Sequence, residues 1–334
     1  MPTRIQNATL GLGITAQTNI STPAGSTTYI VVPKLDSDIY IDDFNTEDNA
    51  AWIGKGNEFA TQVFPTAFNL AGRIEKHGGI EFMTWAWAGA LGNIAYATGT
   101  YTLVPINPAT TLEMPYFPIV LQLAEGGGSA IDDLYVGCSI EEVTTTYNYG
   151  HGLQSVGTTV QFAGSGLLTS PSAVTLPSVL SEHNALSSSM ALTINGTDYV
   201  AGKTILSGVF GWKNNLLLNA GYYPGSGTQS GAAVRGRQEI GVRVPTFTFV
   251  ARLLHTSPEY AALIAQTTGT ATCTLTYDST HNFTWTWEQI SYKVVKRGQA
   301  DGIATVEVTV QPQYSNSTGI LSCSAQCGVA GITA

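Results

Sequence analysis

The chain has 334 residues, of which 43% are hydrophobic and only 11% charged, against about 25% charged in an ordinary soluble domain. Acidic residues outnumber basic ones, 23 to 14, and phosphate backbones attract Lys and Arg, so this balance argues against tight nucleic-acid binding. A surface drawn largely from Ser, Thr, Asn, Gln and 36 Gly resists association poorly, and it suits a protein covered by other copies of itself.

The opening MPTRIQNATLGLG lacks a basic flank followed by an apolar core. No signal peptide is therefore expected, and synthesis in a cytoplasm is. TYIVVPKL and DIYIDDF follow. Both are short and rich in β-branched and aromatic residues, which predicts strands. The second sits in an acidic cluster of Asp36, Asp38, Asp42 and Asp43, with Glu47 and Asp48 beyond. Calcium takes several carboxylates, but the spacing is not that of an EF-hand loop and its Gly is missing. Two other readings stand beside calcium. One is a lumen or ring-face patch along which DNA slides without sticking. The other is a solvated hairpin.

FPTAFNLAGRIEKHGGIEFMT, residues 64–84, reads as strand, polar break and helix. The helix IEFMTWAWAGAL places Ile80, Met83, Trp87 and Leu91 on one face. Its most apolar part, Phe82 to Leu91, is far short of the ~20 residues that span a bilayer. AEGGGSA, residues 124–130, has no Lys to complete a phosphate loop and predicts a flexible loop. YVGCSIEEVTTTYNYGHGLQSVGTTVQF then predicts a strand pair.

Residues 163–189 are rich in Ser, Pro and Ala and predict a linker or arm. MALTINGTDYVAG predicts another strand. GYYPGSGTQSGAAVRGRQE, residues 221–239, predicts a loop that orders on a partner. There Arg235 and Arg237 are candidates to pair with carboxylates of a neighbouring subunit, or are simply solvated.

VPTFTFVARLLHTSPEYAALI, residues 244–264, repeats the earlier unit. Pro65-Thr66 matches Pro245-Thr246, Leu70 matches Val250, Ala71 matches Ala251, Ile74 matches Leu254, Ile80 matches Tyr260 and Met83 matches Leu263. The second helix has Thr256 or Ser257 as cap, Pro258 in the first turn and Glu259 at the positive end of the dipole. Tyr260, Leu263 and Ile264 then form an apolar face, and each helix is expected to pack on its own sheet. ATCTLTYD, FTWTWEQISYKVV and ATVEVTVQPQY end the chain as strands. Val306, Val308 and Val310 alternate with Glu307, Thr309 and Gln311, and Phe283, Trp285 and Trp287 alternate with threonines.

Cys138, Cys273, Cys323 and Cys327 are too few for a disulfide scaffold. The last two form C-x-x-x-C with no His near in sequence, so no metal site is assigned. The five His form neither H-x-x-x-H nor H-E-x-x-H, and no G-x-S-x-G elbow exists. No catalytic or cofactor-binding residue is assigned, and the chain is expected to be no enzyme. The Trp residues read as core or interface fillers rather than sugar platforms.

The whole predicts a mainly β chain, a tandem duplication of a β-sandwich carrying one helix. The expected division is 1–165 with an insert at about 92–130, a linker or arm at 166–189, and 190–334.

The order LGLGITAQ, TTYIVVPKLDSDIYIDDF, FATQVFPTAFNLAGRIEKHGGIEFMTWAWAGALG and DDLYVGCSIEEVTTTYNYGHGLQSVGTTVQFAG resembles the two-domain tail tube proteins of long-tailed bacteriophages. The resemblance covers most of the chain and rests on order and texture rather than a short motif. It implies tandem tail-tube-type β-sandwich or barrel domains, each flanked by a helix. It also implies a structural virion protein whose homotrimeric rings have pseudo-sixfold symmetry and stack into a hollow conduit for DNA ejection. Expected partners are the chain itself, a tape-measure protein, a tail terminator and DNA in transient non-specific passage. Membrane insertion and cofactors are not expected. The alternative is a β-sandwich receptor- or carbohydrate-binding virion module, which calls for an exposed aromatic patch. A secreted β-rich hydrolase fits worse, for want of an export signal.

Overall fold

Alternation of apolar and polar side chains sets most of the architecture, because successive residues of a strand point to opposite faces. Val306, Val308 and Val310 are buried while Glu307 between them is exposed. Phe283, Trp285 and Trp287 are buried between half-buried threonines. The computed structural model describes residues 5–17, 29–33, 38–48, 63–125, 131–148, 156–169, 176–199, 205–218, 222–224, 233–235, 238–254, 258–314 and 319–333. The protein is mainly β, as expected, and each strand-like stretch of the sequence forms a strand.

The first half contains β1 (Ile5–Gly13), β2 (Tyr29–Pro33), β3 (Asp38–Asp48), β4 (Val63–His77), α1 (Ile80–Leu91), β5 (Gly92–Ala97), β6 (Thr100–Pro105), β7 (Phe117–Glu125), β8 (Ile131–Asn148), β9 (Val156–Gly164) and β10 (Gly166–Thr169). The second contains β11 (Met190–Ile194), β12 (Thr197–Asp198), β13 (Ile205–Lys213), β14 (Tyr222–Pro224), β15 (Ala233–Arg235), β16 (Val244–Arg252), α2 (Glu259–Ile264), β17 (Thr268–Thr276), β18 (Asn282–Ala300), β19 (Ile303–Pro312) and β20 (Ser322–Gln326).

In the first half one long strand, β8, belongs to two antiparallel layers, β2-β1-β7-β8-β10 and β3-β4-β9-β8. The second half repeats this around β18, as β12-β11-β17-β18-β20 and β13-β16-β19-β18. Every pairing of the first set has its counterpart in the second. The echo seen over about twenty residues of sequence thus extends across the topology, with β4–α1 matching β16–α2.

Each half also lends a hairpin to the other. The β5–β6 hairpin, from the 92–130 stretch, pairs through β6 with β20. The β14–β15 hairpin pairs in parallel with β4. One hydrophobic cluster runs through both halves, from Leu10 and Trp85 to Phe210, Trp285 and Val308.

The expectation that each helix packs on its own sheet is corrected for α1. This helix contacts β8 and β9 of its own half, but also β13 and β18 of the other. All twelve of its residues are buried, so it has no solvent face, and the single stripe through Ile80, Met83, Trp87 and Leu91 is only part of its contact surface. Apart from Glu81 and Thr84 its residues are apolar or glycine on every side, as in a helix buried in the core. It stops at Gly92, which takes the left-handed conformation (φ 80°) that glycine adopts at little steric cost.

Residues 166–189, expected as a linker or arm, supply β10 and then a run bound to the start of α1. Gly79 offers no capping side chain, and the Ile80 N–H instead donates to the His183 carbonyl at 3.1 Å. Ala185 N–H donates to Gly78 at 2.8 Å, and the Lys76–Glu182 ion pair lies almost wholly buried beside them. The Ile80 bond serves one of the N–H donors that a helix start leaves without an intrahelical partner.

The expectation for α2 is corrected too. Leu263 packs half-buried against the core and α2 contacts β18 of its own half, but Tyr260 and Ile264 are 48% and 69% exposed, so the proposed apolar face is buried only in part. Glu259 is buried and accepts a hydrogen bond from Tyr199 at 2.8 Å rather than merely facing a dipole. The candidate caps Thr256 and Ser257 lie outside the described residues.

Candidate assembly seam

The two repeats join where β8 meets β13. Residues 142–148 pair antiparallel with 213–207, from Glu142↔Lys213 to Asn148↔Ser207. On β8, Val143, Thr145 and Tyr147 are buried and alternate with more exposed neighbours. Opposite them stand Trp212, Phe210 and Gly208. Tyr147 and Phe210 lie with ring centroids 5.4 Å apart. Gly208 has no side chain because the Tyr147 ring fills the space where a Cβ would go.

Asn214, Thr145 and the Trp87 and Trp212 indoles are paired at the seam, as burial favours. Asn214, 1% exposed, donates to the carbonyls of Ala90 (2.8 Å) and Ile140 (3.1 Å) and accepts from the Trp212 indole N–H (2.9 Å). One side chain thereby ties the end of α1, β8 and β13 together. The Trp87 indole N–H donates to Thr145 at 3.0 Å, and Thr145 meets Thr158 at 3.2 Å. At the rim, Lys213 pairs with Glu142 at 3.2 Å.

Duplication gives this seam a consequence. On one edge, β8 is lined first by β7 and then, over 142–148, by β13. The matching edge of β18 is lined by β17 up to Ser291. From residue 292 to 300 it has no strand partner among the described residues. At the other end of the chain β3, the counterpart of β13, pairs only with β4 among the described strands. Among the described residues, then, one such seam is complete, and the matching edges of β18 and β3 have no partner strand. The helices differ in the same sense, since α1 is enclosed while α2 leaves Tyr260 and Ile264 exposed.

These edges carry opposite charge. Residues 292–300 of β18 include Lys293, Lys296 and Arg297, all exposed, with the Arg297 guanidinium 4.9 Å from the Tyr260 ring centroid. Strand β3 carries Asp38, Asp42, Asp43, Glu47 and Asp48 and no basic residue.

The acidic cluster of the sequence thus falls on β3, with Asp38 opposite Arg73 and Asp42 opposite Asn69 in β4. Asp36 lies outside the described residues. Arg235 stands in β15 opposite Tyr222 of β14, and Arg237 lies outside the described residues. Cys138, Cys273 and Cys323 are buried free thiols whose pKa burial pushes up, and Cys327 is partly buried. Sequence reasoning missed Lys293, Lys296 and Arg297. Their signal was available, since SYKVVKRGQA breaks the alternation of the strand before it.

No protein-family model and no curated protein matches the chain.

Proposed function

We propose that the protein is the tail tube subunit of a long-tailed bacteriophage, polymerising head to tail into rings that stack as a hollow conduit for DNA ejection. The observation that carries this reading is the β8–β13 seam inside the chain, together with matching edges of β18 and β3 that have no partner strand among the described residues. An exposed strand edge is a template for another strand, and a head-to-tail contact builds a ring when its rotation closes. If β18 of one copy takes β3 of the next as β8 takes β13, every junction around the ring has one geometry. Three copies then supply six repeats, giving a homotrimer with pseudo-sixfold symmetry.

Charge supports the same contact. The basic edge of β18 and the acidic β3 are complementary, which speeds encounter and fixes partner and register. In this reading Asp38, Asp42 and Asp43 serve the junction between copies rather than the lumen. The stretch expected as a loop ordering on a partner instead forms, in part, the β14–β15 hairpin paired with β4; in this reading Arg235 and Arg237 would contact the adjoining ring. The expected setting is the virion tail after synthesis in the host cytoplasm, with a tape-measure protein in the lumen and a terminator at the tube's end. No described helix is long and apolar enough to cross a membrane. The receptor-binding alternative draws less support, because Trp85, Trp87, Trp212, Trp285 and Trp287 are all buried.

Negative-stain microscopy of concentrated protein tests the proposal. Stacked rings of three chains are expected, and monodisperse single chains under all conditions would refute it. Changing Lys293, Lys296 and Arg297 to Glu should abolish rings. Adding Asp38→Lys, Asp42→Lys and Asp43→Lys on the same chain should restore them. Rings unaffected by the first set would exclude this edge as the junction.

A further inference from the structure

Three residues about a hundred positions apart meet beside the start of α1. Glu81, on its first turn, is fully buried. It accepts the His183 backbone N–H at 3.0 Å and lies 2.6 Å from His183 Nδ1. His281, in the turn between β17 and β18, stacks on His183 with ring centroids 3.5 Å apart and planes 21° from parallel. One ligand atom from each residue lies within 4.8 Å of the others.

The surroundings prepare these atoms for a cation. Asp278 lies 2.9 and 3.0 Å from His281 Nδ1 and also accepts from the backbone N–H groups of Thr280 and His281 at 2.7 and 2.8 Å. A carboxylate on one ring nitrogen sets the tautomer, so Nδ1 carries the proton and Nε2 keeps its lone pair; metal-binding histidines are held in this way. Gly328 leaves space by the same atoms. A methyl there would lie 3.7 Å from His281 Nε2 and 3.8 Å from Glu81 Oε1, and Gly328 has none.

We propose that Glu81, His183 and His281 bind one divalent transition-metal ion, with zinc the best match to one carboxylate and two imidazoles. The ligand atoms would be Glu81 Oε1, His183 Nδ1 and His281 Nε2, a donor set that tetrahedral zinc accepts with water in the fourth position. The ion takes the place of the proton shared by Glu81 and His183. Those atoms then move apart to roughly 3.3 Å, as bonds of about 2.0–2.1 Å to a tetrahedral ion require. The stacked rings splay so that both lone pairs point at the ion. Bound metal would pin the 176–189 run and the β17–β18 turn to α1, across both repeats. This inference stands on its own observations and does not depend on ring assembly.

Tag-free full-length protein, stripped with chelator and dialysed against micromolar zinc, should retain one equivalent by elemental analysis and melt at higher temperature. Cobalt(II) in its place should give the visible bands of a tetrahedral site. His281→Ala should lose both the equivalent and the thermal shift, while His77→Ala, at an exposed imidazole, should keep them. Asp278→Asn, which spares all three ligands, should weaken zinc binding by about 10–100-fold. Failure of the wild type to retain zinc would overturn the proposal, as would equal retention by wild type and His281→Ala.

Discussion

The indole of Trp87, on α1, meets that of Trp285, on β18, edge to face with ring centroids 5.8 Å apart and planes at 75°. One belongs to the first repeat and the other to the second, so a fully buried part of the core spans both repeats. Trp87→Ala should cost about 3–5 kcal/mol, as large-to-small changes of buried aromatics do. A double-mutant cycle with Trp285→Ala should show coupling of about 0.5–1.5 kcal/mol. Unfolding followed by tryptophan fluorescence and by far-UV circular dichroism should give one coincident transition. Two separated transitions would show that the repeats are independent units despite their contact.

Gly208 faces the Tyr147 ring across the seam. Gly208→Ala puts a methyl where that ring lies, and overpacking of this kind costs about 1–3 kcal/mol. Gly302, in the β18–β19 turn, has open space around the Cβ position but a φ of 77°. Gly302→Ala should therefore lose only the backbone preference, about 1 kcal/mol. Chemical denaturation of both variants should rank Gly208→Ala as the more damaging. The reverse order would mean that the strand pair yields to admit the methyl.

Lys76 and Glu182 form an ion pair, their side chains 8% and 6% exposed. Burial raises the Glu182 pKa above its ordinary 4.5, Lys76 opposes that rise, and Glu81 adds to it. Lys76→Met leaves the carboxylate buried without its cation and should cost about 3–5 kcal/mol when Glu182 is ionised. Glu182 then binds its proton more tightly folded than unfolded. That contribution is fully present below the unfolded value and is lost as pH rises through the folded one. The deficit of Lys76→Met should therefore be larger at about pH 8 than at about pH 5. Urea midpoints of wild type and variant at both pH values provide the check, and a deficit that grows on acidification would contradict it.

Ile264 is 69% exposed on α2, in the helix whose counterpart α1 is enclosed. Ile264→Glu should change the melting temperature of the isolated chain little, since exposed substitutions usually stay within about 0.5 kcal/mol. It should nonetheless reduce assembly, measured by sedimentation velocity at increasing concentration. Unchanged assembly would remove α2 from the junction between copies.

Much of the fold was legible in local sequence. Period-2 alternation at Phe283, Trp285, Trp287, Val306, Val308 and Val310 marks strands because a strand's two faces see different solvents. The matched Pro-Thr, Leu/Val and Ala/Ala positions of residues 64–84 and 244–264 marked the duplication. The depth of α1 was not legible, because twelve mostly apolar residues predict burial without saying which strands provide it. The exposure of Tyr260 and Ile264 was hidden for a related reason. An apolar stripe records that a face is to be covered and not whether the cover belongs to the same chain.

The sequence by itself determined the mainly β class and the strands with clear local alternation, since these rest on neighbours within a few residues, but it did not mark β5, β6, β13 or β20. Only the tertiary structure decided that β8 closes on β13 while the matching edge of β18 has no strand among the described residues, and that Glu81, His183 and His281 converge. Those relationships join residues scores to hundreds of positions apart. Strand pairing and core packing bring them together, and no spacing rule along the chain encodes the meeting.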